Sequence, residues 1–388
     1  MVSPILAQGS VKTGIVPATL ASGTQWLKTG PARCITRHIL AAAMLALSFP
    51  ATSGAEEYFD RYGLAPDSPA VDLGVQPLGY PSGVISSVMR RDRILKKALA
   101  DSGQALKTHP FRRGAYMVAL LAEHRLEAGL LGDMPTILAA AGGSIWIAGL
   151  VKQTSTAIVT KGDTQTRGLA GKRIGYVEAS SAHHTLLQGL ASASLDETRV
   201  KLVAMRIDEM PDALERGDID AFAAWEPAPS IALKNSNKNN IVFRGLSTDY
   251  FVIERDFEKR SPQAARHVVA SFLRAIEWMR RSQRNVDQAA RWAMADSAAF
   301  SGKPAALSVA QIGAITHREI LDIPSAPVIL HSPGAHPLNN AYQFLSGLGK
   351  LPAAGKWKNV ETAFAYDGLT RVMAEARSFR IGSFDYEE

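Results

Sequence analysis

The stretch Arg173-Ile-Gly-Tyr-Val-Glu-Ala-Ser-Ser-Ala-His-His-Thr-Leu-Leu187 decides the predicted fold. A short apolar run typical of a buried strand is followed by small polar residues and then by a helix. Ser180 or Ser181 is a natural N-cap for that helix. The first turn of a helix has backbone N–H groups without partners and carries partial positive charge, so this turn is a candidate anion site. His183 could add a donor; on these residues alone, the serines could equally serve only as caps.

Two other places have the same layout of a strand end, a turn and a helix start. In Gly132-Asp133-Met134-Pro135, Asp133 is a plausible N-cap and Pro135 fits an early helical position. In Ala224-Trp225-Glu226-Pro227, a tryptophan stands at a strand end and a proline breaks the strand two residues later. Each segment has a structural interpretation, as a helix cap or a core tryptophan, and a functional one, as part of a cleft wall.

Polar residues also follow the first strand and separate two later ones. Gln76, Gly79 and Tyr80 come directly after Val71–Val75, at the edge of the sheet where open α/β sheets bind ligands. Lys152-Gln153-Thr154-Ser155 lies between two apolar runs and offers hydroxyls near the expected crossover between lobes.

The order of elements predicts an α/β protein. Apolar runs predict strands at 71–75, 144–151, 157–160, 173–177, 200–204, 219–224, 240–243 and 250–253. Helices are expected at 83–101, 135–141, 182–193 and 209–216, and then at 261–283, 286–298, 307–320, 337–347 and 359–377. Strands alternating with helices favour mostly parallel sheets, and the helical last third is typical of a protein whose second lobe is inserted into the first.

Residues 1–55 have the pattern of an export leader. A basic stretch precedes the apolar run 39–49, and small residues then allow cleavage before Glu56. The run is too short to span a membrane, so the rest of the chain is expected to be soluble. The formal charge is +7, and residues 1–55 carry four basic and no acidic residues, so the remainder has a net charge of +3. Such a weak excess argues against nucleic acid as a partner.

The motifs of common catalytic and metal chemistry are missing from the predicted mature chain. Cys34, in the leader, is the only cysteine, which excludes a disulfide and a cysteine nucleophile in the body. His183 and His184 are adjacent and have no companion ligand at metal spacing. The sequence has no nucleophile elbow, dinucleotide fingerprint or phosphate loop. We therefore expect a binding protein without enzyme activity, metal or cofactor.

The chain resembles the nitrate-, sulfonate- and taurine-binding proteins of bacterial ABC importers, a family that also includes binding proteins for thiamine precursors. The likeness rests on segments in the same order and spacing: Gly74-Val-Gln76, Gly132-Asp-Met-Pro135, Gly168-Leu-Ala-Gly-Lys-Arg-Ile-Gly175, Ser180-Ser-Ala-His183 and Leu214-Glu-Arg-Gly-Asp-Ile-Asp-Ala-Phe-Ala-Ala-Trp-Glu-Pro227. Tyr250–Ile253 and Phe364–Leu369 are similar less closely.

The resemblance implies a two-lobed, type II periplasmic-binding fold with a ligand cleft at the hinge. The predicted divisions are the leader 1–55, lobe 1 at 70–155, an inserted lobe 2 at 156–244, and a return to lobe 1 with a helical tail at 245–388. The positions that match the family's ligand contacts are Gln76, Ser155, Ser180, Ser181 and His183, with Trp225 and Glu226 on the far wall. Our candidate set adds Gly79, Tyr80, Asp133, Met134 and Thr154.

The expected function is capture of a small anion of the sulfonate, taurine or nitrate type in the periplasm by a monomer, for delivery to a permease and its ATPase. Three alternatives stay open: a binding protein for a thiamine-precursor pyrimidine, an enzyme on the same fold, and the ligand-reading part of a sensor. The related sulfinate desulfinase uses a cysteine nucleophile, which the body of this chain lacks.

Overall fold

Two long antiparallel strands form the centre of the molecule. The computed structural model describes residues 57–66, 68–162, 164–330 and 336–388, so the predicted leader lies outside the described residues. The strands are β1 Ala70–Val75, β2 Ala105–Pro110, β3 Ala128–Gly132, β4 Ile145–Lys161, β5 Arg173–Tyr176, β6 Lys201–Ala204, β7 Ala221–Ala224 and β8 Asn239–Glu254.

The strands form one mixed sheet in the order β2-β1-β3-β8-β4-β7-β5-β6. The outer pairs are parallel, as the alternation of strands and helices predicts. The central pairs are antiparallel, because β4 and β8 run the length of both halves of the sheet and pair with each other from Ile145↔Glu254 to Lys161↔Asn239. The two ends of the sheet are therefore joined only through this pair of strands.

The sequence prediction divided each of these long strands in two. The runs 144–151 and 157–160 are parts of β4, and 240–243 and 250–253 are parts of β8. The polar segment between the first two runs is extended and pairs with Gly245–Asp249 of β8. Periodicity in the sequence missed this because the pairing partners lie about 90 residues apart, and their contact depends on the tertiary fold.

Two strands were missed altogether. β2 is an edge strand whose residues are largely exposed or half-buried, so it lacks a continuous apolar run. β3 reads Ala-Gly-Leu-Leu-Gly, and its two glycines lower its strand propensity. Both lie in the half of the sheet that contains the first predicted strand.

The helices largely follow the sequence pattern. They are α1 Ser82–Met89, α2 Arg93–Ala100, α3 Ala115–Ala122, α4 Asp133–Ala141, α5 Ser181–Ser192, α6 Met210–Arg216, α7 Ala228–Asn235, α8 Arg255–Arg260, α9 Pro262–Arg281, α10 Gln283–Ser301, α11 Val309–Thr316, α12 Asn339–Gly347, α13 Trp357–Ala363 and α14 Gly368–Ala374. A π-helical turn, His317–Leu321, follows α11. The helix predicted at 83–101 is two helices, because Asp92 caps α2 through the Leu95 N–H. The helix predicted at 359–377 is likewise divided into α13 and α14.

The buried apolar side chains separate into one large core and two small ones. The large core takes its residues from positions 64–151 and 250–379. The small cores lie on the two faces of the β5–β7 end of the sheet and use residues between Ile158 and Ala232. We call these parts the large lobe and the small lobe. The chain passes between them within β4 and β8, the segments that contain the predicted boundaries at 155/156 and 244/245.

Within the described part of the chain, no helix is long and apolar enough to cross a membrane.

Candidate functional site

A cleft opens between the two lobes, with about 580 Å³ of space including its mouth. Its large-lobe wall contains Gln76, Gly79, Ser82, Arg113, Gly114, Ala115, Gly132, Pro135 and Asp249. Its small-lobe wall contains Val177, Glu178, Ala179, Ser180, Ser181 and Trp225. Since both lobes supply polar groups, a molecule bound here would contact both and favour their closed arrangement.

Four helices begin at this cleft. Lining residues include the first residues of α1, α3 and α5, and Gly132 and Pro135 at the start of α4. Each helix has at least eight residues. The partial positive charges of all four starts therefore lie around one space, which favours an anionic ligand.

The start of α5 is built as the sequence predicts. Ser180 is the N-cap, and its hydroxyl accepts a hydrogen bond from the His183 N–H at 3.3 Å. The same hydroxyl donates to the Val177 carbonyl at 2.6 Å. Ala179 has a positive φ of 53°, which turns the loop directly into the helix. Because these bonds tie the loop to the first turn, Ser180 and Ser181 are held in the small-lobe wall.

Arg113 is the cation of the cleft, and the sequence analysis did not single it out. Its guanidinium lies 4.5 Å from the centre of the Tyr116 ring, a cation–π contact. Its buried Nε has no hydrogen-bond partner within the described residues. No ion pair to a described carboxylate occupies this guanidinium either. An unpaired, half-buried guanidinium facing four helix starts is a strong anchor for an anion.

Two further large-lobe side chains present polar atoms. Gln76 donates its amide N–H to the Leu130 carbonyl at 2.7 Å, which orients the amide toward the cleft. Ser82 donates to Asp249 Oδ2 at 3.2 Å. Burial raises the pKa of Asp249, and nearby Glu319 adds to this, while Lys152 and the Ser82 hydrogen bond oppose it. The cleft floor thus holds a carboxyl group whose burial disfavours its charged form.

The wall opposite the α5 start contains Trp225 and Gly79. A Cβ atom placed on Gly79 would lie 3.4 Å from the indole nitrogen of Trp225, a tight contact. The missing side chain lets the large-lobe backbone approach the indole closely. The lobes also meet nearby, where the Tyr80 N–H donates to the Glu226 carbonyl at 3.0 Å.

Of the twelve predicted site residues, five line the cleft: Gln76, Gly79, Ser180, Ser181 and Trp225. Three others lie behind its walls. Tyr80 faces a second cavity on the far side of the hinge. Met134 is completely buried in the large core. His183 is buried, and its Nδ1 accepts the Ala179 N–H at 3.3 Å instead of pointing at a ligand.

The remaining four predicted residues make internal contacts. Asp133 accepts from the N–H groups of Met134 and Thr248. Thr154 donates to Glu319, and Ser155 accepts from Arg244 at 3.3 Å. Glu226 pairs with Arg318 at 2.8 Å. All four side chains are engaged by the protein itself, although they lie on or beside the segments that connect the lobes.

Arg113, Ser82, Asp249 and Glu178 are the polar lining residues that the sequence analysis missed. Arg113 lies between the end of β2 and the start of α3, the same strand-to-helix layout that identified the other turns. The signal was hidden because β2 itself was not predicted. Lys350 lowers the pKa of Glu178 through a 3.1 Å ion pair, with a smaller contribution from Arg113.

Outside the cleft, three side chains of the types that bind metal ions lie close together. His124, Glu254 and Asp256 bring ligand atoms within 4.8 Å of one another. The Glu254 carboxylate already accepts the N–H groups of Asp256 and Phe257, at 2.8 and 2.6 Å. It therefore serves as the N-cap of α8, and the donor set does not require an ion.

Known proteins resemble this chain in sequence and in fold. The taurine-binding periplasmic protein of Escherichia coli is 24% identical over 270 residues, which cover 65% of this chain and 81% of that protein. The alkanesulfonate-binding protein SsuA from Xanthomonas axonopodis pv. citri, solved with bound MOPS, superposes with a TM-score of 0.58 at 20% identity and covers 77% of this chain and 99% of its own.

The desulfurization enzyme DSZB has the same architecture, with a TM-score of 0.53, 15% identity, and coverage of 79% of this chain and 99% of that chain. These likenesses show a two-lobed type II periplasmic-binding fold, as predicted. The model of the NMT1-like family matches residues 93–294, more than half of the sequence. The chain belongs to the NMT1-like family.

Proposed function

We propose that this protein is a periplasmic solute-binding protein that captures a small anion of the sulfonate, taurine or nitrate type and delivers it to an ABC importer. The single observation that carries the proposal is the convergence of four helix starts and the unpaired Arg113 on one interlobe cleft. This arrangement binds an oxoanion through backbone and side-chain N–H groups and hydroxyls.

The proposed anion lies between Arg113 and the first turn of α5. Arg113 supplies a full positive charge from the large lobe, and Ser181 supplies a hydroxyl from the small lobe, where Ser180 holds the turn in place. The second N–H of the Gln76 amide adds a donor from the large lobe. Trp225 offers an apolar surface for the ligand's organic part. Of the predicted site residues, we retain as ligand contacts those that line the cleft.

The proposed binding movement is a closure of lobe 2, residues 156–244, onto lobe 1, residues 70–155 and 245–388. In the described part of the chain, only β4 and β8 cross between the corresponding cores, and paired strands of this kind suit a hinge. A ligand that contacts both walls stabilises the closed state by the affinity it adds there.

Transport, and not catalysis, is the proposed role. The relatives that match by sequence are named as binding proteins, and one of them as periplasmic. The export leader predicted at residues 1–55 is consistent with that compartment. The body has no cysteine, so a thiol nucleophile is absent from the sequence after residue 55. We propose that a separate permease and its ATPase receive the ligand.

A thermal-shift panel tests the function. The purified protein is heated with nitrate, taurine, ethanesulfonate, benzenesulfonate and thiamine-precursor pyrimidines. A ligand at about 100 times its dissociation constant adds about 2.7 kcal/mol of stability, which raises Tm by a few degrees. We expect a shift with at least one anion, and a shift with a pyrimidine alone would overturn the anion proposal.

Arg113→Gln is the decisive variant. Loss of a charge-assisted hydrogen bond is expected to weaken binding of the effective anion about 10- to 100-fold. Arg199→Gln removes a charge from an exposed turn of the small lobe and serves as the matched control, with unchanged affinity. Equal affinity of the Arg113 variant and the control would contradict the assignment of the anion anchor.

A further inference from the structure

The tail helix α12 is anchored in the large lobe. Leu345 is completely buried and Ala341 nearly so, and both belong to the large core. The Tyr342 ring packs 5.1 Å from Trp357 of α13, and α12 lies against α4. One face of α12 is therefore part of the large lobe.

The neighbouring face of α12 contacts the small lobe. The Phe344 ring stacks on His184 with centroids 4.6 Å apart and planes 25° apart. It also meets the edge of His183 at 5.5 Å. Both histidines lie in the first turns of α5. Because Phe344 is adjacent to the anchored residues on the same short helix, α12 connects the two lobes directly.

A second contact lies just before α5. Lys350 Nζ pairs with Glu178 Oε1 at 3.1 Å, and Glu178 lines the cleft two residues before the Ser180 N-cap. The Phe344 and Lys350 contacts thus flank the start of α5 in the sequence. His183 extends the first of them to the cleft, because its Nδ1 accepts the N–H of the lining residue Ala179 at 3.3 Å.

We propose that residues 339–350 form a strap that holds the start of α5 in its binding position, with Phe344 and Lys350 acting as positioning residues for ligand retention. The strap touches no ligand, and it acts through the histidines and Glu178. Its contribution to ligand retention rests on the proposed function, whereas its contribution to lobe closure does not.

Lobe closure can be measured without any ligand. Cys34 is the only cysteine, so a Cys34→Ser background accepts a pair of spin labels at Lys97→Cys on α2 and Lys201→Cys on β6. Both positions are exposed, and they lie near opposite edges of the sheet. We expect the Phe344→Ala, Lys350→Gln double variant to shift the label distances to longer values than in the unsubstituted protein.

Two control variants distinguish loss of the Phe344 and Lys350 contacts from a general effect of substitution. Phe344→Tyr with Lys350→Arg keeps the ring and the charge and is expected to restore the original distances. Lys358→Gln removes an exposed charge from α13 and is expected to change nothing. If the distances between the spin labels are the same in the double variant and in both controls, the proposal that residues 339–350 form a strap is wrong.

Ligand kinetics provide the second measurement, with ethanesulfonate as the probe. Loss of an aromatic contact and an exposed ion pair is expected to speed dissociation about 3- to 10-fold while changing the association rate less. An unchanged dissociation rate in the double variant would overturn the role in retention. If the unsubstituted protein binds none of the panel anions, the proposed function fails, and the label distances still decide whether the strap exists.

Discussion

Two sites in the large lobe bury charged side chains, and they satisfy them very differently. At the first, Arg274 and Asp92 are both completely buried. Arg274 donates twice to Asp92 Oδ2, at 2.9 and 2.5 Å, and once to the Phe379 carbonyl at 2.8 Å. The other Asp92 oxygen caps α2. This site, the Arg274 staple, joins α9, α2 and the C-terminal segment with every polar atom engaged.

At the second, Lys152 lies near Asp133 and Asp249, and Glu319 lies near Asp249; we call these four residues the hinge cluster. Lys152 is buried, and its one hydrogen bond among the described residues is a 3.4 Å contact with Ser247. Burial raises the pKa of Asp133 to about 7, and the adjacent Asp249 adds to this. Burial likewise raises the pKa of Asp249. Here Glu319 pairs with Arg318 at 3.0 Å, whereas Asp133 and Asp249 have hydrogen-bond donors but no ion pair among the described residues.

The two sites differ in how completely their buried charges are paired. A fully hydrogen-bonded pair fixes the position of its elements, and loss of one partner leaves a buried charge. In the hinge cluster, burial raises the pKa of Asp133 to about 7, so this carboxyl group changes its protonation state near neutral pH. Lys152 and Asp249 of the hinge cluster lie on β4 and β8, the strands that cross between the lobes.

Breaking the Arg274 staple should have the largest effect. Arg274→Ala leaves the Asp92 carboxylate buried without its cation and is expected to lower the free energy of unfolding by about 3–5 kcal/mol. Urea denaturation measures this. Arg291→Ala on the exposed side of α10 is the control, with a change within about 0.5 kcal/mol. A loss below about 1 kcal/mol for Arg274→Ala would remove the contrast between the two sites.

Lys152→Met should have a smaller, pH-dependent effect. At pH 8 the carboxyl groups around it lose their only buried ammonium, and we expect a loss of about 2 kcal/mol. At pH 5 the loss should be smaller, because Asp133, with its pKa of about 7, is then largely protonated and needs no cation. Denaturation at both pH values measures the difference, with the exposed Lys201→Met as control. Equal losses at pH 5 and pH 8 would contradict this account.

Asp133→Asn should have the smallest effect. The pKa of Asp133 is raised from its ordinary 3.8 to about 7, so its contribution to stability is fully present below pH 3.8 and is lost as the pH rises through 7. Asparagine does not titrate. The variant should therefore lose less stability between pH 5 and pH 8 than the unsubstituted protein, by about 1–2 kcal/mol.

Melting temperatures in a series of buffers from pH 5 to pH 8 measure this slope. Asp212→Asn, at an exposed position of α6, is the control and should follow the unsubstituted protein. If the melting temperature falls with pH as steeply in the Asp133 variant as in the control, Asp133 is ionised throughout this range.

The α5 side of the cleft was predictable, and the α3 side was not. At 173–187 the strand, the N-cap serine and the helix are all coded by neighbouring residues, and the structure has the helix starting at Ser181. Arg113 also precedes a helix, but the strand before it is an exposed edge strand whose pattern is weak without its partner β1. His183 illustrates a contact that local sequence does not reveal, because its Nδ1 accepts the Ala179 N–H and its ring meets Phe344 of a distant helix.

The sequence by itself determined the α/β class, most helices and the cap at Ser180, because hydrophobic periodicity and N-capping are interactions between residues a few positions apart. Tertiary structure decided the rest. The continuity of β4 and β8, the approach of Arg113 to the α5 start and the clustering of Lys152 with three carboxyl groups join residues far apart in the chain. Such contacts depend on pairing and burial across the whole fold, which no local pattern encodes.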